Sequence, residues 1–146
     1  MSEPASHRAL EHTADVGIEV EAPSLETLYA EAAIALCDTL THREAVRTSI
    51  EREIAVEATD GELLLVDFLN EVLFLFDTEA LVFSSAEVRL LRDSEPSAVG
   101  LRATLGGERY DGERHPLRSL VKAVTYHGLR VWRDGERWRA RVLFDL

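Results

Sequence analysis

The chain has little lysine and little sulfur: among 16 basic residues there is a single lysine, and there is one cysteine and one methionine. A lone cysteine rules out an internal disulfide, and it cannot make a zinc site by itself. Because Cys37 falls inside an apolar, helix-like pattern, a reducing cytoplasm is the expected compartment. Proline and glycine number only 4 and 8, and no linker or low-complexity tract interrupts the chain. No apolar run approaches the roughly 20 residues that a membrane-spanning helix needs. The opening "MSEPASHRAL" lacks the basic-then-apolar order of a secretory signal. Also missing are a Walker-type phosphate loop, a G-x-S-x-G nucleophile turn, a C-x-x-C pair and an H-E-x-x-H helix.

What is present suits one domain over residues 1–146. With 46% hydrophobic residues, a chain of this length buries about two-thirds of its unfolded surface around a single core. The formal charge of −11 argues against a protein that grips nucleic acid over its whole surface. The charge is uneven, however. Residues 1–100 carry a net −15, and residues 101–146 carry a net +4. A basic last third suits a partner of mixed charge, or is simply the solvated face of strands.

Periodicity supplies the elements. "GIEVEA" alternates Ile18 and Val20 with Glu19 and Glu21, which predicts a half-buried strand. In "PSLETLYAEAAIALCDTL", apolar residues recur at spacings of three and four behind Ser24, a suitable N-cap. "IEREIAVEA" returns to a period of two. "DGELLLVDFLNEVLFLFDTE" is apolar on most of its circumference, with Asp60 as cap and a narrow polar strip of Asp67, Asn70 and Glu71. Such a helix belongs at the centre of a fold. "ALVFSSAEVRLL" and "AVGLRATLGG" read as strands. "LVKAVTYHGLRVW" and "RWRARVLFDL" are strands joined by Asp134-Gly135, a strong hairpin signal. The order predicts an α+β fold, with a mainly antiparallel sheet carrying two principal helices on one side.

Two stretches carry candidate chemistry. "EHTADVG" places Glu11, His12 and Asp15 just before the first predicted strand. At the other end, "VLFDL" puts Asp145 beside the terminal residue. Trp138, Ala140, Val142 and Phe144 share one face of the last strand, so Asp145 points to the other. Its carboxylate and the α-carboxylate of Leu146 can converge on one cation if the strand end is held, and a third carboxylate would complete a hard oxygen site. The bland alternative is two anions in free solvent. The lone lysine, Lys122, lies in "VKAVTYHGL"; alternation puts it on one face with Val124 and Tyr126, and Thr125 and His127 on the other. A compact ammonium there differs in anion geometry from arginine. His42 and His115 read as surface loop histidines.

In order and spacing, "EHTADVGIEVEAPSLETLYAEAAIAL", "ELLLVDFLNEVLFLFD", "RHPLRSLVKAVTYHGLRV" and "WRARVLFDL" resemble the archease family over nearly the whole chain. The resemblance implies a compact α+β unit similar to a heat-shock chaperone of the Hsp33 type. It also implies a cytoplasmic activator, not itself an enzyme, of the RtcB-type RNA ligase that acts in tRNA splicing. The activator promotes guanylylation of the ligase and its repeated turnover, and RNA is met only through the ligase. Carried over residue by residue, the family's divalent cation, taken as calcium with magnesium or manganese as alternatives, would be held by Asp15, Asp145 and the Leu146 carboxylate. Lys122 is then a second contact for the ligase.

Two rival expectations come from other classes. A free-standing metal-dependent phosphoester hydrolase would use Asp15 and Asp145 for metal and His12 or His127 as general base, and would turn over substrate alone. A chaperone-like binding module would suppress aggregation of unrelated proteins.

Overall fold

The computed structural model describes residues 4–11, 16–92 and 99–146. Seven strands and two long helices follow the order β1 (Ser6–Glu11), β2 (Val16–Ala22), α1 (Leu25–Leu40), β3 (Ile50–Ala58), α2 (Gly61–Glu79), β4 (Leu81–Arg92), β5 (Val99–Arg109), β6 (Ala123–Asp134) and β7 (Arg137–Asp145). A single 3-10 turn, Arg43–Ala45, separates α1 from β3. The α+β class, the antiparallel pairing and the two principal helices are as the sequence predicts. The strands nevertheless divide into two sheets, ordered β1-β2-β7-β6 and β3-β5-β4.

Each helix packs against strands of both sheets. This explains why every residue of α1 from Glu31 to Cys37 is buried, where a helix covering one sheet would bury only a stripe. The core draws Ile18, Val20, Ala140, Val142 and Phe144 from one sheet, and Ile54, Leu101, Ala103, Leu105, Leu81 and Phe83 from the other. Between them lie Leu28, Leu36, Leu40, Leu65, Phe68 and Leu69 of the helices.

Local chemistry sets the helix ends. Ser24 Oγ accepts from the Thr27 amide at 3.2 Å, and Thr27 Oγ1 accepts from the Ser24 amide at 3.2 Å, a reciprocal capping box. Asp60 caps α2 by accepting from the Leu63 amide at 2.9 Å. The helix stops at Ala80, a non-glycine residue with φ 56°, whose amide donates to Phe76 O.

Two elements depart from expectation. β1 reads as no strand, because "SHRALE" lacks alternation; pairing with β2 along its whole length supplies what its own pattern does not. β6 starts at Ala123 rather than near Leu120, and its register with β7 breaks between Thr125 and Arg130, where Gly128 takes φ +70°.

Candidate functional site

The end of β7 is clamped between two neighbours. Val16 is the Cα partner of Phe144, Ala123 is the partner of Asp145, and the Lys122 amide donates to Asp145 O at 2.7 Å. Phe144 is fully buried, so the strand end is anchored rather than frayed. The expected alternation holds: Ala140, Val142 and Phe144 face the core, while Asp145 and Leu146 are exposed. Asp15, together with His12, lies outside the described residues. The described chain resumes at Val16, whose partner immediately precedes Asp145.

Lys122 is exposed, as a residue offered to a partner should be. Among the described residues, neither its ammonium nor the Asp145 carboxylate has a hydrogen-bond or ion-pair partner. The predicted shared face of Lys122, Val124 and Tyr126 does not survive. Val124 is buried, while Tyr126 is exposed, because the register break begins at Thr125 and interrupts the period of two.

The polar strip of α2 positions this region. Asn70 Nδ2 donates to Val124 O at 3.1 Å, and Asn70 Oδ1 accepts from the Val124 amide at 3.0 Å. Glu62 accepts from the Val131 amide at 2.9 Å. These bonds satisfy backbone groups of the sheet edge that β6 would otherwise leave open. Tyr126 OH donates to Asp67 at 2.9 Å, and that carboxylate raises the phenol above its ordinary pKa. The sequence identifies Asp67, Asn70 and Glu71 as a strip; only the structure shows that it grips β6. Phe74, one turn beyond Asn70, is 56% exposed, and Leu120 and Leu146 are 65% and 42% exposed.

Two histidine clusters escape the sequence reading. His115, expected on the surface, is completely buried. Its Nδ1 accepts from the Asp111 amide at 2.8 Å, and its Nε2 meets Glu108 at 3.1 Å. Glu108 also receives the Arg47 amide at 2.6 Å and both terminal nitrogens of Arg114 at 2.8 and 2.9 Å. The Arg114 guanidinium, helped by these other donors, depresses the Glu108 carboxyl to about 2. Nothing in "ERHPL" announces this, since burial depends on the preceding turn folding back and on Arg47 from a distant segment. His7 of β1 bridges Glu31 at 2.5 Å and Asp38 at 3.1 Å. Glu31 first, then Asp38, raise the His7 pKa against the opposing effect of burial. Burial works against charge on Asp38, but the Arg43 amide and His7 outweigh it and lower its pKa. Recognising β1 as a strand would have placed His7 facing α1.

Two groupings can be weighed as cation sites. Asp38, His42 and Glu44 bring ligand atoms within 4.8 Å of one another, and His42 is exposed as expected. Asp38, however, already accepts from the Arg43 amide at 3.0 Å on Oδ1 and meets His7 at 3.1 Å on Oδ2, so both of its oxygens are engaged within the fold. At the chain end the donors are hard oxygens, and among the described residues no proton donor engages the Asp145 side chain, which fits calcium or magnesium. Two open concavities, of about 610 and 350 Å³, lie on the outer face of β3-β5-β4, lined in part by Glu53, Arg102 and Thr104 and by Thr48 and Ser85. Neither includes Asp145, Lys122 or His127.

Relatives share this architecture. Residues 7–146 match the model of the Archease protein family. Protein archease of Methanopyrus kandleri is 42% identical over 139 residues, covering 94% of this chain and 96% of that protein. Protein archease of Pyrococcus furiosus is 38% identical, covering 93% and 95%. The solution structure of Methanobacterium thermoautotrophicum protein 1598 superposes with a TM-score of 0.79 at 30% identity, covering 96% of this chain and 98% of that one. A Thermotoga maritima crystal structure described as an archease, possible chaperone, shares the fold with a TM-score of 0.59 at 23% identity, covering 100% and 98%.

Proposed function

The chain belongs to the archease family, and we propose that it activates an RtcB-type RNA ligase by promoting guanylylation of the ligase, without being an enzyme itself. The observation that carries this reading is the anchored, unpartnered chain end. An exposed carboxylate and an exposed ammonium flank a buried, paired strand end, and among the described residues neither side chain has a hydrogen-bond or ion-pair partner. Polar groups that serve the fold are as a rule hydrogen-bonded within it; these are left for a partner.

In this reading Asp15, Asp145 and the α-carboxylate of Leu146 hold a divalent cation. The bound cation would offset the mutual repulsion of the three anions and offer its remaining positions to oxygen ligands. Asp145 contributes from a backbone paired with Ala123 of β6 and preceded by Phe144, which β2 holds, so its carboxylate is presented with little ordering cost. Lys122 supplies a compact positive charge next to it, suited to a partner carboxylate or phosphate. Asn70 acts as a positioning residue through Val124. Activation then consists of favouring the nucleotide-competent conformation of the ligase, a shift limited by the differential affinity of this patch for the two ligase states.

The test is guanylylation of the purified ligase with GTP and divalent metal, in the absence of RNA. The wild-type chain should stimulate it, and Asp15→Ala and Lys122→Ala should not. No stimulation by the wild type would sink the activator reading; full stimulation by Asp15→Ala would remove the cation site from it. Phosphoester turnover by the chain alone would instead favour the hydrolase class.

A further inference from the structure

The two sheets have four edges, and the helices close two of them. At β6, Asn70 and Glu62 take the backbone of Val124 and Val131. At β4, the Leu90 amide donates to Glu26 at 2.9 Å and the Phe83 amide to Cys37 Sγ at 3.4 Å. β3 has no such cover. Because Leu90 turns its amide away from β5, its partner Leu101 turns its own backbone toward β3, and the alternation of an antiparallel pair fixes the rest. Arg52, Ile54 and Val56 bond to β5, whereas Glu51, Glu53, Ala55 and Glu57 aim their amides and carbonyls outward. Among the described residues the one backbone group of that row with a partner is Glu51 O, which accepts from Arg52 Nη1 at 3.3 Å. An open row in a strand of 9 residues is a template for a further strand.

The side chains of the same row are acidic. Glu51, Glu53 and Glu57 are exposed on the outer face with Ala55 among them, and none of the three carboxylates has a hydrogen-bond or ion-pair partner among the described residues. Further in, the face adds Glu87 against Arg89 and Arg102. Four carboxylates therefore meet two guanidiniums, and the three outer charges of the edge strand itself are all negative. On the inner side, the one charged residue of β3, Arg52, is held by Glu79 at 3.1 Å, and Ile50, Val56 and Ala58 are half-buried against the core. β1, the remaining edge, differs on both counts. It spans 6 residues, and its outward Ser6 and Arg8 are tied to Glu21 and Glu19.

We propose that the open edge of β3 receives an extended segment of a cationic partner protein, added as a further strand of the β3-β5-β4 sheet. Its lysines or arginines lie beside Glu51, Glu53 and Glu57, and its alternate side chains are apolar. This goes beyond the chain-end reading and shares no residue with it. The open backbone row selects an occupant in β conformation, since an extended chain meets alternating amides and carbonyls in register. The acidic row selects its charge, because opposite charges directly across a strand pair attract and like charges repel. The same rule disfavours a second copy of this chain. Antiparallel self-pairing centred on Ile54 sets Glu51 against Glu57, and centring it on Ala55 sets Glu53 against Glu57. The apolar side chains of the added strand cover half-buried Ile50, Val56 and Ala58.

The probe is a capped peptide of about eight residues alternating lysine and valine, labelled for fluorescence anisotropy and titrated with the full chain at low salt. Saturable binding is expected, with amide exchange slowed at Glu53, Ala55 and Glu57. A peptide of the same composition with its lysines and valines in separate blocks should bind about 10-fold more weakly, and so should one N-methylated along its bonding edge. Ala55→Pro removes one outward donor without touching the ladder to β5, and should also weaken binding about 10-fold. Glu53→Gln together with Glu57→Gln should weaken it about 5-fold and reduce its salt dependence. Thermal melts separate loss of binding from loss of fold, and the N-methylated peptide makes the backbone test on the unaltered protein. No anisotropy change up to about 1 mM protein overturns the proposal. Equal binding of the block or N-methylated peptide also overturns it, as does binding that leaves exchange at Ala55 unchanged.

Discussion

The segment from Tyr110 to Lys122 joins two polar regions that use similar residues in opposite ways. At its start, buried His115 and Glu108 close into a knot with Arg114 at the surface, in which Glu108 accepts from the Arg47 amide, both Arg114 nitrogens and His115. Tyr110 stacks on His115 with ring centroids 5.8 Å apart and meets Phe76 edge-on at 5.8 Å. At its end, Lys122 and Asp145 are exposed and their side chains have no partner among the described residues, though their backbones are tied together. The first region uses its charges to hold β5, α2 and the segment after α1 in place. The second commits backbone bonds to structure, and among the described residues its charges have no side-chain partner. Titratable clusters therefore divide here into fastening and presentation, and burial is what separates the two.

The comparison breaks most sharply at Glu108. Removing it by Glu108→Ala leaves His115 and the Arg47 amide buried without their acceptor, which should cost about 3 kcal/mol, read by chemical denaturation. A loss below about 1 kcal/mol would mean that water replaces the carboxylate. The same group predicts an acid limb. Its folded pKa of about 2 lies below the ordinary 4.5, so its contribution is full above pH 4.5 and fades as pH falls toward 2. Glu108→Gln should flatten that limb.

Asn70→Ala comes next. It strips two bonds from Val124 and should destabilise by about 2 kcal/mol. Amide exchange at Val124 should accelerate, and ligase stimulation should fall with Lys122 itself intact. Unchanged exchange would remove Asn70 from its positioning role.

A smaller effect is expected at His7. Its folded pKa is raised above 6.5, so the bridge to Glu31 and Asp38 contributes fully below 6.5 and is lost as pH climbs through the higher folded value. Amide exchange in β1, corrected for its intrinsic pH dependence, should show a loosening on the order of 1 kcal/mol over that window. His7→Gln should abolish the step, and a step that persists in the variant belongs to another group.

The smallest stability effect belongs to Asp145→Asn, within about 0.5 kcal/mol, because the side chain has no internal partner among the described residues. Ligase stimulation should nevertheless be lost. A large drop in melting temperature would place Asp145 with the fasteners.

Most of the architecture is legible in the sequence because its signals are local. Ser24 and Asp60 cap where capping chemistry predicts, Asp134-Gly135 turns the last hairpin with Gly135 at φ +65°, and β3 coincides with its alternating run. The division into two sheets is not legible, since strand partnership is non-local and a helix buried on both sides carries the same apolar excess as one in any core. β1 is hidden because its stability comes from β2 and from His7. The face of Tyr126 is misread because one irregularity after Val124 resets a period of two. Asp145 and Lys122 stand out as an isolated acid and an isolated lysine, and the structure adds that neither side chain has a partner among the described residues. His115 is invisible because its burial depends on Glu108, Asp111 and Tyr110 closing around it.

The central claim is that the anchored chain end, through its anions, activates the ligase. Extending the chain by a few residues beyond Leu146 moves the α-carboxylate away and spares every side chain. Ligase guanylylation without RNA should lose its stimulation by the extended protein while the melting temperature stays at the wild-type value. Full stimulation by the extended chain would contradict the three-anion site.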